Sequence, residues 1–329
     1  KSNKNIILVV PKKNSLKIKE VNLLKILELF SFYKFPNIIN FFKNILQIYY
    51  FFKKIKINFK DTIYIDGYNL LFLISFLIST IFSKQKASII IYCRYNFFGF
   101  RKKIFLLTLK LLSKVNHKVS ILTDTINLSK IYKKETKLKT ILMPIPHTFK
   151  KRNTSPYLNT NKIKLFFPGQ FRKDKFNNNF NNFLKLNNNS NIQIYINIKF
   201  KNNLRIKNKI IKFPNNLSRN NYFKIFDKIN LVVLPYEIKD YKHRSSGIFI
   251  EAISLNKITL VSNKTWMSNE LKKFKFNSFI IKDWNNFSLK KNLKNLLSIE
   301  NKKKLLLMQK KYKDFHNENT FVETFCKNI

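Results

Sequence analysis

Short runs of aliphatic and β-branched residues alternate with longer helical stretches along most of this chain. In the first half, strands are predicted at residues 5–10, 62–65, 88–93, 119–123 and 139–143. Helices are predicted at residues 21–52, 70–82, 100–115 and 129–134. Because a strand that is apolar at nearly every position must be covered on both faces, this alternation predicts a parallel sheet with helices packed against it.

A second alternating series follows a polar stretch at residues 151–162, which is predicted to be a linker. Its strands are predicted at residues 162–167, 192–198, 210–213, 231–234 and 258–261, and its helices at residues 176–187, 222–229, 248–254, 268–273 and 287–315. The two series predict an α/β chain whose two Rossmann-like parallel-sheet domains, residues 1–150 and 163–305, face each other across a cleft. A terminal helix over residues 306–329 could pack back on the first domain.

The net charge is large, but most of it reflects composition. The chain has 64 Lys and Arg residues against 17 Asp and Glu residues, which gives +47. Only seven of the 64 are arginine, and lysine is scattered among Asn, Ile and Phe, which share AT-rich codons. Charge alone would suggest a nucleic-acid-binding protein. The chain lacks an RNP motif, zinc-ligand spacing and an arginine-rich stretch, so we expect no specific nucleic acid as a partner.

Cysteine content and hydropathy indicate the cellular location of the chain. Cys93 and Cys326 are isolated and show no CxxC spacing, which predicts neither a disulfide framework nor a zinc site. No signal-peptide pattern opens the sequence, so a cytoplasmic location is expected. The longest apolar run, residues 70–82, is too short to span a bilayer and is predicted to be a buried helix. Shallow contact of this helix with an anionic membrane is the alternative.

Two loops that follow predicted strands carry the candidate binding residues. The first, FPGQFRKDK at residues 167–175, contains Gly169, Arg172 and Lys175. A glycine allows close approach of the backbone, and two cations three residues apart suit a phosphate or diphosphate. In open α/β sheets, ligands bind outside the carboxyl ends of the strands, which is where this loop is expected to lie.

The second loop, at residues 241–252, reads YKHRSSGIFIEA and leads into an apolar helix. Arg244, Ser246 and Gly247 stand at the predicted helix start, where backbone N–H groups can bind an anion. Glu251 follows within the next helical turn and could accept hydrogen bonds from sugar hydroxyls. Glycine and arginine are rare in this chain, so their occurrence together favours a binding site.

Several segments resemble one enzyme family. GQFRKDK, LVVLPY, YKHRSSGIFIEAIS and TWMSNEL are similar to the donor-binding half of GT-B glycosyltransferases, particularly the retaining enzymes of family 4, the group 1 glycosyl transferases. LLSKVNHKVSILTDTINLSKIYKK and PIPHT are similar to the end of the first domain in bacterial members. The resemblance implies a glycosyltransferase that moves a sugar from a nucleotide-diphosphate donor to a glycan or lipid-linked acceptor, with the nucleotide sugar as co-substrate and no separate cofactor.

The resemblance also implies roles for individual residues. Arg172 and Lys175 would neutralise the donor diphosphate, the backbone at Ser246 and Gly247 would contact phosphate or sugar, and Glu251 would bind the ribose hydroxyls. Many members carry a glutamate eight positions before this one, whereas this chain has His243 there. No Asp-x-Asp pair occurs in the sequence, so metal-independent transfer is expected.

Arg94, at the end of the strand at residues 88–93, and His243 are the candidate catalytic residues. Both are cations or potential cations in loops expected at the cleft. Two other functions stay open at this point. A non-catalytic GT-B-like scaffold would explain the histidine that stands in place of the glutamate, and a basic nucleic-acid-binding protein would use the +47 charge through phosphate contacts.

Overall fold

The chain divides into two compact units, Lys1–Leu142 and Met143–Ile329. A computed structural model describes residues 7–11, 22–27, 38–55, 57, 61–66, 69–84, 86–116, 118–146, 162–169, 172, 174–175, 177–200 and 207–328. The linker predicted over residues 151–162 lies outside the described residues except for its last position.

The first unit is built on parallel strands. A four-stranded sheet has the order β3 (Thr62–Ile65), β4 (Ser88–Cys93), β5 (Lys118–Thr123) and β6 (Lys139–Leu142). A separate parallel pair is formed by β1 (Ile7–Pro11) and β2 (Asn22–Leu27). The helices are α1 (Ile38–Ile55), α2 (Leu70–Ser83), α3 (Gly99–Val115) and α4 (Ile126–Thr136).

Helices pack on one face of the β3–β6 sheet because alternate strand residues point to that face. Ile89, Ile91 and Cys93 of β4 share one buried cluster with Phe76 of α2 and Tyr132 of α4. The helix starts are set by local side chains, since Asn69 Oδ1 accepts a hydrogen bond from the Phe72 N–H at the start of α2. Thr125 caps α4 in the same way.

The second unit holds a six-stranded parallel sheet. Its strands are β7 (Ile163–Phe166), β8 (Ile192–Asn197), β9 (Lys209–Phe213), β10 (Leu231–Leu234), β11 (Ile258–Ser262) and β12 (Ile280–Ile281). They lie in the order β9-β8-β7-β10-β11-β12. The strand order therefore reverses between β7 and β10, and such a reversal point is where open α/β sheets bind their ligands.

Helices of the second unit follow its strands in turn. They are α5 (Asn178–Leu186), α6 (Arg219–Lys228), α7 (Ile238–Tyr241), α8 (Gly247–Ser254), α9 (Trp266–Lys273), α10 (Leu289–Leu296), α11 (Ile299–Phe315) and α12 (Glu318–Cys326). A short 3₁₀ turn occupies Asn277–Phe279. Helix α11 packs on α8, where the Phe249 and Tyr312 ring centroids are 6.1 Å apart and Gln309 Nε2 donates to the Ser254 carbonyl at 2.9 Å.

Aromatic rings fill the centre of this second core. Phe166, the last residue of β7, is fully buried and meets Phe226 of α6 edge-to-face, with 5.2 Å between ring centroids. The rings of Phe213 and Tyr222 lie 5.5 and 5.9 Å from Phe166. Edge-to-face pairs add to the free energy gained by burying the rings, so this cluster fixes the end of β7 from which the candidate site extends.

Two sequence-based predictions differ from the structure. Residues 21–52 were predicted to form one or two helices, but they contain the strand β2 before α1 begins. A six-residue apolar run is compatible with either state, and parallel pairing with β1 decides it here. Residues 306–329 are divided between α11 and α12, because Asn317 begins a new helix by accepting a hydrogen bond from the Thr320 N–H.

The prediction that residues 70–82 form a buried helix is confirmed by α2, which buries Leu73, Phe76 and Leu77. Among the described helices, none has both the length and the hydropathy needed to cross a bilayer.

Candidate functional site

The candidate site lies at the reversal of strand order in the second unit. The chain leaves β7 through Gly169 and leaves β10 through Tyr236, and the two strands are hydrogen-bonded neighbours. Their loops are tied together, since the Glu237 N–H donates to the Asp174 carbonyl at 3.0 Å and Asn177 Nδ2 donates to the Pro235 carbonyl at 3.1 Å. The fold thus brings together two loops that lie far apart in the sequence.

Gly169 makes room for the side chain of Lys175. Its φ is +98°, a conformation that favours glycine. A Cβ atom at this position would lie 2.9 Å from Lys175 Nζ and 3.1 Å from Cδ1 of Ile248 in α8. The glycine therefore allows the ammonium group of Lys175 and the first turn of α8 to approach the same stretch of backbone.

Two tyrosines with rings in contact form the aromatic part of the site. The ring centroids of Tyr236 and Tyr241 are 4.5 Å apart, and Tyr236 is fully buried. Lys175 Nζ lies 5.2 Å from the Tyr236 ring centroid, and Cζ of Arg244 lies 5.5 Å from that of Tyr241. Both are within the range of cation–π attraction, so the tyrosine pair holds a cation against each of its rings.

Arg172 adds a third cation through a carboxylate. Its Nε and Nη2 donate to the two oxygens of Asp174 at 3.1 and 2.7 Å. Arg172 Nη2 also donates to the hydroxyl oxygen of Tyr241 at 3.3 Å, and that hydroxyl lies 3.4 Å from Asp174 Oδ2. A two-point contact of this kind orients the guanidinium plane, so Asp174 and Tyr241 position Arg172 at the edge of the tyrosine pair.

The cations of this cluster influence one another. The pKa of Lys175 is lowered to about 8, chiefly by burial and further by the charges of Arg172 and Arg244, while the charge of Asp174 partly opposes the shift. Burial also raises the pKa of Tyr241 to about 12. Three cations against one carboxylate leave this part of the site with an excess of positive charge, which favours binding of an anion with more than one charge.

The start of α8 faces the same loop. Ser246 caps the helix by accepting a hydrogen bond from the Phe249 N–H at 3.3 Å, and the Ile250 N–H donates to the Ser246 carbonyl. The N–H groups of Gly247 and Ile248 therefore lie outside the hydrogen bonding of the helix itself. Because Ile248 packs against Gly169, these donors lie beside the loop that carries the cations.

Glu251 lies one turn further along α8 and is positioned by a tyrosine. Its Oε2 accepts a hydrogen bond of 2.9 Å from the hydroxyl of Tyr222 in α6. Burial and the charge of Glu251 hold the pKa of Tyr222 well above its ordinary value, so the hydroxyl keeps its proton and stays a donor. Glu251 thus presents a carboxylate on the same helix whose N-terminus meets the Gly169 loop.

Of the nine predicted site residues, seven fall into two groups and two stand apart. Gly169, Lys175, Arg172 and Arg244 converge around the tyrosine pair, and Ser246, Gly247 and Glu251 lie on or at the start of α8. His243 lies half-buried in the loop between α7 and α8. Arg94 belongs to the first unit, where Nη2 is 3.2 Å from Asp66 Oδ2 and Cζ is 4.5 Å from the Tyr92 ring centroid.

Four residues of the site were not predicted to belong to it. Asp174 and Tyr241 orient Arg172, Tyr236 supports Lys175, and Tyr222 positions Glu251. Asp174 was detectable in principle, because it is one of only 17 acidic residues and stands between two predicted phosphate ligands. The tyrosines gave no such signal, since aromatic residues are common throughout the chain.

Within the part of the chain that the structure describes, no cluster of three or more His, Cys, Asp or Glu side chains is arranged to hold a metal ion. The residues that converge at the reversal of strand order are instead mainly cationic and aromatic.

Comparison with known proteins identifies the fold. No family model matches the chain, and no curated protein matches it. Among solved structures, α,α-trehalose 6-phosphate synthase from Burkholderia multivorans aligns with 89% of this chain and 77% of its own, at 9% identity and a TM-score of 0.59. HepE from Anabaena, solved with UDP-glucose, aligns over 86% and 82% at 9% identity and a TM-score of 0.56.

A third similar structure is the N-terminal domain of trehalose-6-phosphate phosphatase from Candida albicans, with 11% identity, a TM-score of 0.59, and coverage of 88% of this chain and 75% of that one. Alignments over most of each chain show a shared fold despite the low identity. The predicted fold class, an α/β chain with two parallel-sheet domains of GT-B type, is therefore confirmed.

Proposed function

We propose that this protein is a glycosyltransferase that uses a nucleotide-diphosphate sugar as donor. The observation that carries the proposal is the convergence of Arg172, Lys175 and Arg244 on one tyrosine pair at the reversal of strand order. A donor diphosphate carries two negative charges, which this excess of positive charge would neutralise. HepE, which shares the fold, is known in complex with UDP and with UDP-glucose.

The proposed chemistry depends on positioning and on stabilisation of charge. Transfer of the sugar leaves a nucleoside diphosphate with additional negative charge, and fixed cations lower the energy of the transition state in which that charge develops. Lys175 and Arg172 would hold the diphosphate, and the N–H groups of Gly247 and Ile248 would donate further hydrogen bonds to it. Glu251 would accept hydrogen bonds from the ribose hydroxyls.

The finer features of the proposal rest on the family resemblance. They are transfer with retention and without a metal, and an acceptor that is a glycan or a lipid-linked glycan. His243 and Arg94 stay the candidate catalytic residues because of their positions in loops of the chain. A protein that binds the donor but transfers no sugar would instead be a scaffold of the same fold.

The direct test is a thermal-shift and nucleotide-release screen against UDP-, GDP-, dTDP- and ADP-sugars. Sugars of one nucleotide class are expected to stabilise the protein. Arg172→Ala and Glu251→Ala should each lower the affinity for that nucleotide sugar by about tenfold to a hundredfold, which is the effect of losing a hydrogen bond to a charged group. Lys290→Ala, on the exposed surface of α10, is the matched control. No response to any nucleotide, or full affinity in both site variants, would refute the assignment.

Donor affinity should depend on pH through Lys175. With a pKa near 8, its amine is charged at pH 7 and mostly neutral at pH 9. Because only the charged form attracts the diphosphate, affinity should fall by about tenfold over this interval. In Lys175→Arg the guanidinium keeps its charge, so the fall should disappear. Isothermal titration calorimetry at intervals between the two pH values measures the effect, and an equal fall in both proteins would assign it to another group.

A further inference from the structure

Helix α1 of the first unit has two apolar faces, and among the residues that the structure describes only one of them packs against other elements. The inner face carries Ile48 and Phe52, which are buried. The ring centroids of Phe52 and Phe76 of α2 are 5.5 Å apart, and Ser79 Oγ of α2 donates to the Ile45 carbonyl at 2.9 Å. These contacts hold α1 against α2, so the opposite face of α1 is turned away from the core.

The outer face carries a line of exposed apolar side chains. Phe42, Leu46 and Tyr50 stand four residues apart, which places them on one side of the helix, and they are 58%, 56% and 67% exposed. A surface helix of a globular protein has polar residues on this side. Single exposed apolar residues need no explanation, but an aligned row of large ones marks a surface for interaction.

Lysines border this row without any acidic residue. Lys43, Lys53 and Lys54 are exposed on α1, and the helix contains no Asp or Glu. Lys53 Nζ lies 5.6 Å from the ring centroid of Tyr49, so its stem lies along the aromatic surface. Large apolar side chains flanked by lysines suit a lipid bilayer with anionic headgroups, where the rings enter the interface and the ammonium groups meet the phosphates.

We propose that the outer face of α1, formed by Phe42, Leu46, Tyr50 and the three lysines, binds peripherally to an anionic lipid bilayer. Residues 70–82, for which such a contact was the alternative interpretation, suit it less well, because α2 exposes large apolar side chains only at Ile81 and Phe82 and buries Leu73, Phe76 and Leu77. The interaction does not depend on donor binding, so the two proposals can fail separately.

The test compares binding of the full chain to two kinds of vesicle by co-sedimentation at physiological ionic strength. One kind is phosphatidylcholine alone, and the other has a quarter of it replaced by phosphatidylglycerol. We expect binding to the anionic vesicles and at least tenfold weaker binding in the triple variant Phe42→Ser, Leu46→Ser, Tyr50→Ser, which keeps the net charge. The triple variant Ile299→Ser, Leu307→Ser, Val322→Ser removes similarly exposed side chains from the second unit and should bind as the unaltered protein does.

Several results would overturn the proposal. Equal binding by all three proteins would mean that the charge of +47 alone holds the chain to the vesicles. An equal loss in both variants would indicate unspecific hydrophobic adsorption, and absence of binding by the unaltered chain would exclude the contact. Conversion of a dimer to a monomer by the α1 substitutions, seen by light scattering, would show that a second copy of the chain covers this face.

A single aromatic substitution reports directly whether α1 contacts the lipid bilayer. Tyr50→Trp places an indole in the exposed row, and vesicles made with brominated acyl chains should quench its fluorescence. Val322→Trp, on α12 of the second unit, should not be quenched beyond the level of the unaltered protein, whose two Trp residues also lie in that unit. Quenching at position 322 but not at position 50 would assign the membrane contact to another surface.

Discussion

The variant Arg172→Ala, Lys175→Ala is expected to bind the proposed nucleotide-diphosphate donor about a hundredfold to ten-thousandfold more weakly than the unaltered protein. Hydrogen bonds to charged groups contribute about 1.5–3 kcal/mol each, and 1.4 kcal/mol corresponds to a factor of ten. Asp174 adds to the loss, because without Arg172 its carboxylate has no guanidinium beside it and repels the diphosphate. Isothermal titration calorimetry with the donor identified by thermal shift gives the measurement.

Two further variants separate loss of charge at the site from loss of charge in general. Lys290→Ala, Lys294→Ala removes the same net charge from the exposed surface of α10 and should leave affinity nearly unchanged. Adding Asp174→Asn to the double variant should restore part of the lost affinity by removing the repulsion. If the α10 variant loses as much affinity as the site variant, the donor is held by the overall positive charge and the proposed site is wrong.

Phe166→Ala is expected to lower the free energy of unfolding of the second unit by about 3–5 kcal/mol, the range found for truncation of a buried phenylalanine. The substitution removes a ring that contacts Phe213, Tyr222 and Phe226 and leaves a cavity behind the end of β7. Calorimetry should show the transition of this unit about 6 to 20 °C lower. Because β7 leads directly to Gly169, weaker donor binding should accompany the loss of stability.

Phe82→Ala is the matched control for this change, since the same atoms are removed from a side chain that is 68% exposed at the end of α2. Its effect should be within about 0.5 kcal/mol. A small effect of Phe166→Ala would mean that the aromatic cluster repacks to fill the cavity. In that case the end of β7 would be held mainly by its hydrogen bonds to β8 and β10.

The sequence predicted the regular elements well where local pattern and environment agree. β4 and β10 lie at the predicted bounds, because continuous β-branched runs suit a strand that is buried on both faces. β2 was assigned to a helix because its short apolar run carries no period that separates the two states. α12 was not separated from α11, since its start depends on a single asparagine cap in a sequence rich in asparagine.

The two loops of the candidate site could be found from the sequence, but only some of the side chains that meet there could. Both loops follow strands, and the rule that ligands bind at the carboxyl ends of parallel strands identified them from the alternation alone. The sequence does not show that the rings of Tyr236 and Tyr241 are in contact. Nor does it show that Lys175 lies over one of these rings or that Arg172 donates hydrogen bonds to Asp174. These contacts join residues that meet only once β7 and β10 are paired, so no local pattern records them.

The pairing of β7 with β10 joins residues that are distant along the chain. Leu165 lies opposite Leu231, more than sixty residues away, so this adjacency closes a long loop and is lost when the second unit unfolds. An anion bound between the two loops therefore acts as a reversible cross-link across the middle of the sheet. At a concentration one hundred times its dissociation constant it would add about 2.7 kcal/mol to the stability of the unit, so occupancy by donor would govern how often the sheet opens and how readily proteases cut it.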